Sequence, residues 1–128
     1  MASAGNGGDG LDTVTYPAKY PEVISVGAVD NTLQVANYSS RGSRIDVVAP
    51  GTDIISTTNY DSYTPLSGTS MAAPHVTGEI ADMLSSQSKM SPAKIKDTIL
   101  KTATPLGTQT SYGSGLVNVV KAIAYANQ

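Results

Sequence analysis

The stretch from Glu22 to Val29 (EVISVGAV) constrains the fold most: it is apolar and β-branched, lacks the in-out alternation of a strand with one wet face, and is bounded by Pro21 and by Asp30 and Asn31. A run of this kind must be buried on both sides, the condition of a strand inside a parallel sheet. Ile45 to Ala49 (IDVVA), stopped by Pro50 and Gly51, reads the same way, as does Asp53 to Thr58 (DIISTT). A sheet covered on both faces needs helices over it, and the second half of the chain carries their signals. Thr69 to about Ser86 has helical length, with Pro74 early enough to fall in the first turn. Ser91 and Pro92 form an N-cap and first-turn proline ahead of Ile95, Ile99 and Leu100, with Lys94, Asp97 and Lys101 three and four apart on another face. The basic residues from Lys89 to Lys101 read as a solvated helix face rather than an anion site. A last helix is expected from about Leu116 to Asn127, with Leu116, Val119, Val120, Ile123 and Ala124 on one stripe. No internal repeat interrupts this order. The expectation is an α/β module over residues 1–128, a mostly parallel sheet of three or four strands followed by three helices.

A length of 128 residues suits one core. Only 14% of the residues are charged, against about 25% in an average soluble domain. The net charge of −2 supplies no broad positive field for phosphate backbones, so nucleic acid is not an expected partner. No apolar run approaches the roughly 20 residues of a membrane span, and none is expected. Without cysteine there is neither a disulfide nor a thiol nucleophile. The first residues lack the basic and apolar regions of a secretory signal, and Met1 reads equally well as a start placed before an internal segment.

The candidate chemistry lies in Gly68 to Gly78 (GTSMAAPHVTG), where Ser70 opens the central helix among residues too small to shield its hydroxyl. Unpaired N–H groups and the partial positive charge of a helix start would stabilise an oxyanion formed by attack of Ser70 on a carbonyl. Alone, such a serine reads as an N-cap. The string as a whole, however, resembles the nucleophile segment of the subtilisin-like serine proteases, the subtilases. Ser3 to Asn6 (SAGN) resembles their oxyanion-hole loop, and Tyr16 to Pro21 (YPAKYP) with Val26 to Asp30 (VGAVD) resembles the strand region that follows. Asp46 to Gly51 (DVVAPG) and Tyr112 to Asn118 (YGSGLVN) also match in order, so the likeness covers nearly the whole chain but only about the C-terminal half of the family's catalytic domain.

The resemblance implies a partial subtilisin-like three-layer fold and peptide-bond hydrolysis through an acyl-enzyme. Ser70 would be the nucleophile and Asn6 the side-chain donor of the oxyanion hole, although Asn6 with Gly7 and Gly8 also reads as a simple turn. Ser3, Ala4, Gly5 and Thr15 would wall and floor the pocket for the substrate side chain. The catalytic Asp and His of the family stand in Asp-Ser/Thr-Gly and His-Gly-Thr-His-like segments, and neither occurs in these 128 residues. The single histidine, His75, lies five residues from Ser70, about 140° around a helix, and is a structural residue rather than the base. The isolated chain is therefore expected to be inactive. Its partners would be a polypeptide substrate, an N-terminal subtilase half, or a second copy meeting it at an exposed sheet edge. A non-catalytic module, complementing or peptide-binding, is the alternative. No cofactor is required, but a calcium or monovalent cation could sit on carbonyls of Ala18, Tyr20 and Val23 with Asp46 nearby. Export is the commoner fate in the family.

Glu79 and Asp82 depart from the pattern, because the family's nucleophile helix is almost wholly apolar there. Carboxylates are rarely buried without partners, so both are expected on a face that meets water.

Overall fold

A computed structural model of the chain describes residues 1–128. Strands β1 (Ala2–Ser3), β2 (Ser25–Val29) and β3 (Val47–Pro50) form a parallel sheet in that order. Register pairs Val26 with Val47 and Ala28 with Ala49, and alternation then separates the two faces. Ile24, Val26, Ala28, Val47 and Ala49 join Ala72, Val76, Met83, Ile95, Ile99 and Ala122 in the main core. Val29 and Val48 turn the other way, to Ala4, Val14, Ala18 and Ile45. All of β2 is buried, the two-sided burial that its unalternating sequence demands.

Ile54–Thr58 corrects the third expected strand. This β4 is not in the parallel sheet but pairs antiparallel with β5 (Ser62–Leu66), and Ile55 is 70% exposed. Tyr60 and Asp61 turn the chain between them with positive φ, so DIISTT meets its own downstream neighbour before it can reach the sheet. Pro65 hides β5 in the sequence, yet a proline is tolerated in an edge strand.

The helices that cover the main core are α1 (Thr69–Ser86), α2 (Pro92–Thr102) and, after the short α3 (Gln109–Tyr112), α4 (Val119–Ala126). Ser91 caps α2 as expected, its Oγ accepting from the Lys94 N–H at 3.2 Å. α4 begins later than its periodicity suggests. Asn118 is the cap, Oδ1 accepting from the Lys121 N–H at 3.0 Å, and Leu116 stays extended, bridging Val48 and Thr104. The helix phase is consequently set by Ala122, the one fully buried residue of α4, and not by the expected stripe: Val120 is 74% exposed and Ala124 also faces solvent.

The two unusual acids part company. Asp82 is exposed as expected, but Glu79 is 4% exposed and neither of its carboxylate oxygens has a hydrogen-bond partner. Burial pushes the Glu79 carboxyl up to about 7, and the nearby backbone N–H of Asn118, which forms no hydrogen bond with it, pulls less strongly the other way. The start of α4 covers what the helix-face reading left open to water.

Candidate active site

The cap of α1 is Gly68, with extended backbone (φ 160°, ψ 161°) and no side-chain cap bond. Ser70 is thus not the cap residue. It lies in the first turn, its side chain exposed.

Asn6 follows the end of β1. Its Oδ1 accepts from the Thr69 N–H at 3.0 Å and from Thr69 Oγ1 at 2.9 Å, and Thr69 Oγ1 in turn accepts from the Gly5 N–H at 3.2 Å. A backbone N–H can only donate, so these bonds fix which end of the amide is oxygen. Nδ2 is left to face the other way. A methyl placed on Gly68 would lie 3.4 Å from Asn6 Nδ2 and 3.7 Å from the Ser70 backbone nitrogen. Two potential donors therefore lie near one position next to Gly68, which Met71 Sδ also approaches at 3.6 Å, and a pair of such donors suits an oxyanion. Thr69, 1% exposed, holds it together. Sequence reasoning passed over Thr69, although its place beside Ser70 in the Gly-Thr-Ser run was visible.

Of the residues expected to form the substrate pocket, Ala4 and Gly5 lie against Thr15, and Ser3 ends β1 just ahead of them. The Ala4 carbonyl accepts from the Thr15 N–H at 3.0 Å and from Thr15 Oγ1 at 3.4 Å. Ala4 is fully buried, its N–H donating to the Val26 carbonyl at 2.9 Å and its carbonyl engaged by Thr15, whereas Thr15 itself is exposed. Gly5 has φ 111°, and a Cβ there would come within 2.9 Å of Thr15 Oγ1, so the close approach of these two segments needs glycine.

A cleft of about 330 Å³ beside Ser70 is lined by Ile54, Ile55 and Ser56 of β4 and by Met71, Pro74 and His75 of α1. His75 Nδ1 is 3.0 Å from the Met71 carbonyl one turn back, and no hydrogen bond joins the ring to Ser70. A larger cavity of about 450 Å³, between α2 and the Glu22–Ile24 segment, carries no nucleophile and plays no part in this chemistry.

Of the oxygens expected around a cation, those of Tyr20, Val23 and Asp46 are engaged by side chains. Lys96 Nζ donates to the carbonyls of Pro21 (2.9 Å) and Val23 (3.2 Å) and lies 3.0 Å from Asp46 Oδ2. The same Asp46 oxygen accepts from the Ser25 N–H at 2.9 Å. The Tyr20 carbonyl accepts from Arg44 Nη2 and from the Val23 N–H, both at 3.1 Å. Ala18 is fully buried. Lys96 thereby leaves the solvated face on which the sequence placed it.

A serine in the first turn of a helix, with an anchored amide close by on a layered α/β scaffold, is the arrangement of a subtilisin-like fold. The chain matches the subtilase family over residues 1–115, and it belongs to that family of serine proteases. It is 48% identical to subtilisin E of Bacillus subtilis (strain 168) over 123 residues, which are 94% of this chain and 32% of that protein. Over 124 residues it is 45% identical to subtilisin DY of Bacillus licheniformis, covering 95% of this chain and 45% of the relative. Among solved structures, the prenylagaramide maturation protease PagA superposes with a TM-score of 0.86 at 32% identity, covering 97% of this chain and 49% of that one. A protease from Pseudoalteromonas arctica gives 0.87 at 32% identity, over 97% and 41% of the two chains. The chain thus spans less than half the length of each of these relatives.

Proposed function

We propose that these residues are the nucleophile- and oxyanion-bearing portion of a subtilisin-like serine endopeptidase, the C-terminal part of its catalytic domain. The observation that carries this reading is that Asn6 Nδ2, turned away from Thr69, and the Ser70 backbone nitrogen lie 3.4 and 3.7 Å from one position next to Gly68. Ser70 Oγ attacks the scissile carbonyl, and its proton passes to a base. The oxygen that becomes negative is held by the two N–H donors until the amine leaves and an acyl-serine remains. Water then releases the acyl group by the same route. The polypeptide is the substrate, its side chain next to the scissile bond lying against Ser3 to Gly5 and Thr15, and the acyl transfer needs no cofactor.

The base is not in this chain. His75 is turned to its own helix backbone, so the imidazole and its orienting carboxylate come from sequence outside these 128 residues, and the chain alone is inactive. The reading extends to an exported parent protein, the commoner fate among subtilases. A serine-directed phosphonate probe tests it: Ser70 is labelled after mixing with an N-terminal subtilase half and stays unlabelled alone. Rapid labelling of the isolated chain, or turnover of casein by it, would refute the missing base. Absence of labelling in the mixture despite a formed complex favours the non-catalytic module.

A further inference from the structure

We propose that Lys96 is a resident cation, its ammonium taking the place of a metal ion among the oxygens of the Pro21 and Val23 carbonyls and the Asp46 carboxylate. Three oxygens surround Nζ at 2.9 to 3.2 Å: the Pro21 and Val23 carbonyls and Asp46 Oδ2. Carbonyls and a carboxylate with no nitrogen or sulfur among them are the donor set of a hard cation, and an ammonium with its three N–H donors satisfies three such oxygens as well. Lys96 and Asp46 are both mostly withdrawn from solvent, with side chains 21% and 12% exposed. A second positive group closes the neighbouring turn, Arg44 donating to the carbonyls of Lys19 (3.3 Å) and Tyr20 (3.1 Å). A metal ion entering here would have to displace Lys96 and would meet both positive charges. The residues present therefore do not fit a bound ion.

The consequence is an intramolecular tether. Lys96 stands on α2, and its partners lie 73 and 75 residues earlier in the chain. The bonds clamp α2 to the turn that leads into β2, and Thr15 of the substrate wall stands just ahead of that turn, its carbonyl accepting from the Lys19 N–H. Because the cation is covalently attached, the clamp requires no free ion.

The test compares the 128-residue chain with its Lys96→Met and Lys96→Arg variants in CaCl2, KCl and EDTA, by thermal melting and by terbium luminescence sensitised through Tyr16 and Tyr20. The wild type should melt at the same temperature in all three solutions and give no saturable terbium signal. Lys96→Met should melt several degrees lower in EDTA, recover part of the loss with calcium or potassium, and bind terbium in a way that Asp46→Asn abolishes. Lys96→Arg should keep the indifference to ions. Saturable binding of calcium or terbium by the wild type would overturn the proposal. So would a Lys96→Met chain that melts like the wild type in EDTA, or one that unfolds and is restored by neither ion.

Discussion

At the scale of single residues, the active-site proposal depends on the orientation of one amide. Thr69 supplies two donors to Asn6 Oδ1, so the side chain cannot flip without leaving a buried hydroxyl and a helix N–H unpaired. In the enzyme assembled with its N-terminal half, Asn6→Ala should lower kcat by about 10²- to 10³-fold with little change in KM, the size of loss that removing an oxyanion-hole asparagine causes in a subtilisin. An unchanged kcat would remove Asn6 from the oxyanion hole. Gly68→Ala tests the same position from the opposite side. Its methyl would lie 3.4 Å from Asn6 Nδ2 and 3.7 Å from the Ser70 nitrogen, crowding the place proposed for the oxyanion. Activity should fall by at least as much as in Asn6→Ala, while the melting temperature of the chain moves by a few degrees at most. Full activity in Gly68→Ala would show that the oxygen lies elsewhere. Gly68, Thr69 and Asn6 act together, so their losses should not add.

At the scale of elements, the packing of α4 on α1 buries a carboxyl group with no partner. The Glu79 value of about 7 lies above the ordinary 4.5 because burial disfavours the charged form. The sign is opposite to that of a salt-bridged acid. At low pH the carboxyl is neutral in both states and costs nothing by ionisation. As the pH rises past 4.5 the unfolded chain ionises first, so stability declines until the folded group follows near 7. The total loss is about 3 kcal/mol. Glu79→Gln should abolish that decline, so that denaturant unfolding of wild type and variant diverges between pH 4.5 and 7 in favour of the variant. His75 and Asp82 of α1 share the cavity beside Glu79 and remain in both proteins, which lets the difference profile isolate Glu79. Parallel profiles would mean that the carboxylate finds water or a donor. β2, β3, α1 and α2 were legible because their signals are local: apolar runs between breakers, and a serine-proline cap. The hairpin and the phase of α4 were not, since β4 chooses its partner by proximity across Tyr60 and Asp61, and Leu116 is held extended by Val48 and Thr104. Lys96 was equally hidden, as its partners are backbone carbonyls that carry no side-chain signature.

At the scale of the molecule, the nucleophile helix is covered on one side only. Ala72, Val76 and Met83 face the core, while Pro74, His75, Thr77, Gly78, Ala81, Asp82 and Ser85 are exposed. In the proposed assembly this outer side is where the N-terminal half docks, with the free edge of β1. Ala2 and Ala4 donate to the carbonyls of Ile24, just ahead of β2, and Val26 within it, so the intervening Ser3 directs its backbone away from that strand, open to pairing. Asp82 decides between a docking face and a solvent face. In the chain alone it is exposed and makes no ion pair, so Asp82→Ala should change the unfolding free energy by no more than about 0.5 kcal/mol. If the N-terminal half covers α1, its carboxylate is desolvated on binding, and removing it should tighten the complex about tenfold or more, equivalent to at least 1.4 kcal/mol. Titration of each chain with the same N-terminal half, read by phosphonate labelling of Ser70, measures the change in affinity directly. Equal affinities would place the docking surface on the β1 edge without α1. Weaker binding of Asp82→Ala would mean instead that the acid meets a basic partner there, an interfacial pair that the isolated chain cannot display.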